Sequence, residues 1–212
     1  MANVQGLKVS LRSKIRAMMK KMSVAFVEEQ SSLVFENVRS QAFYKQAKCV
    51  SVFLSMPAPM EIQTLSFVKQ CFEDGKRVYV PKVTGSTRDN MKMIHVNDFK
   101  DIQTWPLSKW KIREPPADYY VNKEADADAL ESSKIELVIV PGVAFSRQKC
   151  RLGQGKGFYD TFFQKIYHRR QQSNLKPPVL VGVALDEQIV DSVPVEEHDY
   201  TLDHVVTPSG IV

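Results

Sequence analysis

The sequence predicts an α/β fold on a mostly parallel central sheet. Apolar runs of strand length alternate with stretches of helical spacing along most of the 212 residues. Residues 48–54, 64–73 and 77–80 read as strand, helix and strand in close succession. That is a βαβ unit, and its crossover length implies parallel strands. A third observation is a glycine-rich loop that follows the apolar region 135–142 and opens into a helix.

The elements follow in order. Leu7, Leu11, Ile15, Met18 and Met22 recur every three or four residues and predict an amphipathic first helix with these side chains inward. Lys8, Arg12, Arg16 and Lys20 fall on an adjacent face in steps of four, which taken alone is a solvated stripe. Ser23 is the expected N-cap of a second helix reaching about Arg39, without a capping box because position 26 is Phe. Gly75 ends the helix 64–73, and Pro81 is expected to stop the strand 77–80. Residues 91–96 alternate as a strand does, and the acidic, proline-containing stretch 114–129 reads as a surface excursion. The sheet resumes at 135–140, 179–184 and 204–206, with 168–178 as a polar connection. There is no internal repeat and no low-complexity tract.

Composition narrows the function classes. A 212-residue chain with 43% hydrophobic residues suits one domain with a substantial core and argues against disorder. A formal charge of +5 is too mild to define a partner class and fits an anionic ligand, weak nucleic-acid binding or a merely soluble surface. Cys49, Cys71 and Cys150 have no C-x-x-C spacing, and an odd count without a framework favours a reducing compartment. His95, His168, His198 and His204 lack metal-ligand spacing. No run has the length of a membrane span and the N-terminus carries no apolar secretory core, so the expected location is cytoplasmic. The basic residues of the first helix leave an organelle-targeting reading open.

The chemistry concentrates in Arg151-Leu152-Gly153-Gln154-Gly155-Lys156-Gly157-Phe158-Tyr159-Asp160. Three glycines let backbone N–H groups approach a phosphate, while Lys156 and the start of the following helix add positive charge. The spacing fits neither the Walker A loop nor the dinucleotide fingerprint. The alternative is a tight turn whose glycines supply positive φ beside a solvated lysine. Asp160, in the first helical turn, reads as a cap or as a metal ligand facing the same phosphates. Trp110 reads as a core aromatic or as the wall of a flat-ring site. Rival function classes are a non-catalytic nucleotide- or nucleic-acid-binding protein and a phosphosugar isomerase or acyl-transferase on a related sheet. The apolar strands lack the interleaved aromatic and basic residues that the nucleic-acid reading needs.

The whole string resembles the signature of the 5-formyltetrahydrofolate cyclo-ligase family. Lys8-Val9-Ser10-Leu11-Arg12, Phe53-Leu54-Ser55-Met56 with Glu61-Ile62-Gln63-Thr64, Trp110-Lys111-Ile112-Arg113-Glu114-Pro115, Val138 to Phe145 and Val193 to Asp199 resemble its other segments, in its order. Phe158 stands where many members have tyrosine. The resemblance implies one domain over 1–212, a three-layer Rossmann-like sheet flanked by helices, and a site over the strand ends.

It also implies roles. Lys8, Val9, Ser10, Leu11, Arg12 and residues Arg151, Leu152, Gly153, Gln154, Gly155, Lys156, Gly157, Phe158 and Tyr159 would bind ATP. Leu54, Met56, Glu61, Trp110, Gln154, Gly155, Lys156, Gly157 and Phe158 would bind the reduced folate. Lys156, Arg151 and Tyr159 would act in catalysis, and Asp160 and Asp199 would hold Mg2+. The implied reaction closes 5-formyltetrahydrofolate to 5,10-methenyltetrahydrofolate through phosphorylation of the formyl oxygen by ATP. The expected partners are folate and ATP, with no nucleic acid or membrane, and the expected state is a monomer.

Overall fold

The structure is a computed structural model; it describes residues 3–59, 61–117, 119 and 134–212. Most of the acidic stretch 114–129 lies outside them. Three helices open the chain, α1 Val4–Met19, α2 Val24–Ser40 and α3 Ala42–Gln46, followed by β1 Cys49–Val52, α4 Leu65–Glu73, β2 Arg77–Val83, β3 Met91–Val96 and α5 Phe99–Thr104. Then come β4 Leu137–Val140, β5 Ala144–Ser146, β6 Arg151–Leu152, α6 Phe158–Gln172, β7 Val179–Val183, β8 Ile189–Val190, β9 His204–Thr207 and β10 Gly210–Ile211.

Seven strands form the central sheet in the order β10-β9-β7-β4-β1-β2-β3. The pairs from β9 to β2 are parallel, and β3 and β10 add antiparallel edges. Strand periodicity divides the core into two layers. Leu137 and Ile139 join Val34, Phe35, Val38, Phe67 and Val68 of α2 and α4 on one face. Val138 and Val140 join Phe162, Phe163 and Ile166 of α6 on the other. The expected α/β fold, with helices on both faces of a mostly parallel sheet, is what the chain adopts.

Four local expectations need correction. Strand β2 runs through Pro81 to Val83. The Arg77 N–H donates to Lys48 O, so the Pro81 nitrogen, four residues on, faces the same β1 side. Pairing with β1 ends at Tyr79 while pairing with β3 continues to Val83, so no ladder donor is missing at Pro81. Helix α6 reaches Gln172, well into the expected connection, because buried Arg170 donates to Ile135 O and Lys176 O. Leu11, Ile15, Met18 and Met22 face the core as expected, but in the first turns Leu7 is exposed and Lys8 is buried in its place. Finally, β5 and β6 form an antiparallel pair in a separate three-stranded sheet with β8. The glycine loop thus leaves this hairpin and does not follow β4 directly.

Cys49 and Cys71 are buried, Cys150 is half-buried, and none is bonded to another. No helix among the described residues is long and apolar enough to cross a membrane.

Candidate active site

Two loops carry most of the candidate residues, and the first leaves the C-terminal end of a parallel strand, where open α/β sheets bind ligands. One follows β1 (residues 53–64), and the other is the glycine loop 153–157 between β6 and α6.

The glycine loop is held in a shape that side chains would resist. Gly155 and Gly157 have φ of 93° and 69°, and Gly157 caps α6 in the left-handed region. Helix α1 lies against it. Arg12 Nε donates to Gly153 O at 2.8 Å, and a Cβ at Gly155 would stand 3.3 Å from the Arg12 guanidinium carbon. Arg16 donates to Gln154 Oε1. Arg12 and Arg16 of the basic stripe therefore line the loop, while Arg16 and Lys20 remain exposed as a solvated face would have them. Burial, then neighbouring Arg16, holds the Arg12 guanidinium below its usual range. Lys156 is exposed. Val9 and Ser10 are exposed and Leu11 packs on the core.

The two aspartates sit close together, each with a cation. Arg151 Nη2 lies 3.0 and 2.9 Å from the Asp160 carboxylate oxygens, and its Nη1 donates to Pro141 O. Its guanidinium also stands 5.6 Å from the Tyr159 ring centre, within cation–π range. Helix α6 has no side-chain cap, so the capping reading of Asp160 has no bond behind it. Lys8 Nζ bonds Asp199 Oδ2 at 2.5 Å and Glu196 Oε2 at 2.9 Å. Burial works against the Lys8 charge, but bonds to Asp199 and then Glu196 carry its pKa above the ordinary lysine value. Burial likewise raises Asp199, yet Lys8 and the Glu196 N–H bring it below the usual carboxylate range. The N–H of Tyr200, next to Asp199, reaches Asp160 Oδ1 at 3.5 Å, which links the two carboxylates' surroundings. Glu196 escaped the sequence reading; its nearest signal was its place inside the V-P-x-x-x-x-D segment.

The loop after β1 is closed by Ser55 and Thr64, whose side chains accept from each other's backbone N–H at 3.1 and 3.2 Å. Within it Glu61 accepts from Met56 N at 3.0 Å, and Gln63 Nε2 donates to Met56 O and Glu61 O. Leu54 is half-buried against the core. Burial pushes the Glu61 carboxyl up to about 7, with the Met56 N–H offsetting part of the effect. The Tyr159 hydroxyl is buried without a hydrogen-bond partner. Burial raises its pKa first of all, Arg151 lowers it, and Glu61 raises it again. Glu61 and Tyr159 are thus near enough for the charge of one to act on the other. An unpartnered buried hydroxyl beside a partly protonated carboxyl is an arrangement suited to a polar ligand.

Trp110 is not packed in with these residues. It is 60% exposed, with Lys109 Nζ 5.5 Å from its ring centre. The buried tryptophan is Trp105, packed edge-on against Tyr119. A cavity of about 660 Å³ lined by Tyr167, His168, Gln171, Asn174, Leu175 and Lys176 opens at the other end of α6 and shares none of the site residues.

Comparison with known proteins identifies the family. Residues 4–208 match the profile of the 5-formyltetrahydrofolate cyclo-ligase family. A probable 5-formyltetrahydrofolate cyclo-ligase of Caenorhabditis elegans is 33% identical, over 97% of this chain and 95% of its own. The Escherichia coli K12 5-formyltetrahydrofolate cyclo-ligase is 34% identical over 78% of this chain and 80% of its own. The NMR structure of Aquifex aeolicus 5,10-methenyltetrahydrofolate synthetase shares the fold, with a TM-score of 0.72 at 24% identity, covering 97% of this chain and 91% of that one. The chain belongs to the 5-formyltetrahydrofolate cyclo-ligase family.

Proposed function

We propose that the chain is a cytoplasmic, monomeric, single-domain enzyme that closes 5-formyltetrahydrofolate to 5,10-methenyltetrahydrofolate with ATP. The observation that carries this reading is a glycine loop held by Arg12 and Arg16 in a chain whose residues 4–208 match the cyclo-ligase family.

The formyl group on N5 is amide-like and a poor electrophile. Transfer of the ATP γ-phosphoryl to its oxygen turns that oxygen into a leaving group. N10 then attacks the formyl carbon, loses its proton, and the carbon–oxygen bond breaks to release phosphate beside ADP. Such chemistry asks the protein for positioning and charge compensation, not for a protein nucleophile. Arg12 and Lys156 offer charge to the phosphate chain, with Lys8, Val9, Ser10, Leu11 and residues 151–159 forming its bed. Lys8 and Arg151 already bind carboxylates, so an incoming phosphate competes with anions they hold in its absence. Glu61, with Leu54 and Met56, receives the pterin, whose paired N–H donors suit a carboxylate. Tyr159 supplies the unpartnered hydroxyl, and Phe158 and Trp110 offer ring faces.

Asp160 and Asp199 would hold Mg2+. Hard carboxylate oxygens beside a phosphate loop fit an ion that takes one or two carboxylates plus phosphate and water. The ion supplies compensation of phosphate charge.

The decisive measurement is turnover of 5-formyltetrahydrofolate with ATP and magnesium, followed as new near-ultraviolet absorbance of the methenyl product. Folded protein without turnover overturns the proposal.

A further inference from the structure

The glycine loop has another wall that comes from neither α1 nor the loop itself. The turn joining β2 to β3, residues 84–90, lies over the start of α6. A Cβ at Gly157 would stand 3.9 Å from both Cβ and Cδ of Arg88. The turn is closed on itself: Thr84 N–H donates to Asn90 O at 2.7 Å and Asn90 N–H to Thr87 O at 3.0 Å. A Cβ at Gly85 would fall 2.3 Å from Asn90 Nδ2, so a larger residue there must displace Asn90. Asp89 fastens the turn to α6, with Oδ1 3.0 Å from Lys165 Nζ, which also donates to Asp89 O.

Arg88 is poorly placed for a purely structural cation. It sits at a helix N-terminus, where the backbone already presents partial positive charge. Arg12, Arg16 and Lys156 crowd the same loop. The nearby carboxylates are committed, Asp160 to Arg151 and both Asp199 and Glu196 to Lys8. Arg88 itself forms no ion pair among the described residues. An anion over Gly157 would turn this repulsion into attraction. Independently, Arg151 Nε lacks a hydrogen-bond partner beside the loop, although its side chain is only 5% exposed. A buried guanidinium donor left open points to a ligand that completes the site.

We propose that Arg88 is a nucleotide-binding residue that grips the phosphate chain at the Gly157 end of the loop, while Arg12 holds the Gly155 end. Gly85 and the Asp89–Lys165 pair are its positioning elements. The assignment rests on the ATP reading of the loop given above.

The test is calorimetric titration with Mg-ATP together with steady-state kinetics on the wild type, Arg88→Ala, Arg88→Lys and Lys165→Ala. Arg88→Ala should raise both Kd and KM for ATP about five- to twentyfold, the loss of one charge-assisted contact. Its KM for folate and its melting temperature should stay near wild type, because the side chain is exposed. Arg88→Lys should recover part of the affinity, since the charge remains while the planar fork is lost. Lys165→Ala should show the same split between the two substrates, to a smaller degree. Wild-type ATP affinity in Arg88→Ala, beside an active wild type, overturns this inference alone. A wild type that binds no ATP overturns the functional reading along with it.

Discussion

Glu61 carries its own pH signature. Its carboxyl rises from 4.5 to about 7 in the fold. Between those values the native protein holds a proton that the unfolded chain has released, so stability falls as pH rises through that window. Glu61→Gln should remove this dependence and stabilise the protein at pH 8, on the order of 1–3 kcal/mol. Denaturant unfolding of both proteins at pH 5 and pH 8 checks this, and parallel pH slopes would contradict it. The same substitution should weaken folate binding, because the amide cannot accept two pterin donors equally well. Asp160 gives a second residue-scale test. Asp160→Asn leaves the Arg151 guanidinium without its counter-charge and should cost about 1–3 kcal/mol of stability. If the carboxylate also holds the metal, turnover should fall at least tenfold and demand more magnesium, an expectation of order-of-magnitude kind. Magnesium titrations of turnover that coincide for both proteins would reduce Asp160 to a partner of Arg151.

Helix α1 is the element that joins packing to chemistry. Ile15 and Met19 anchor its C-terminal half in the core. Its N-terminal half delivers Lys8 to Asp199 and Arg12 to Gly153. The two functions occupy successive turns, so they can be separated. Removal of residues 1–12 should leave a folded protein, because Ile15 and Met19 remain. It should cost most of the activity, because the clamp over the glycine loop is gone. Circular dichroism and turnover on the same preparation decide it, and full activity would show that α1 is a packing helix only. Burial of Lys8 beside two carboxylates also means that truncation exposes Asp199 to unbalanced charge. Acid tolerance should then change below the usual carboxylate range, where Asp199 is held ionised in the intact protein.

On the scale of the whole molecule, the sheet acts as a platform between two apolar layers. The parallel order places the ends of β1 and β4 side by side, with Val50 opposite Leu137. The loops that follow them, far apart in the chain, therefore share a rim. The hairpin β5–β6 then carries the signature away from β4 and turns it toward α1. The β2–β3 turn is tied to α6 through Asp89 and Lys165.

The sequence by itself determined the features that depend on contiguous residues. Strand and helix periodicity predicted the α/β fold, and the positive φ that the tight-turn alternative asked of the glycine loop is found at Gly155 and Gly157. Family membership was legible for the same reason, since its signature is a set of short strings in fixed order. The tertiary structure decided what each charge faces. Lys8 and Asp199 are 191 positions apart, and no periodicity connects them. Whether Lys8 or Leu7 turns inward depended on that distant carboxylate, because a buried ammonium is tolerated only when paired. Pro81 passed into a strand because β1 had already ended beside it. Trp105 rather than Trp110 was buried because Tyr119 arrived to cover it. Arg88 gained its meaning only when the β2–β3 turn was folded onto α6. Local conformational demands are written residue by residue, whereas burial and counter-charge belong to pairs that only the folded chain brings together.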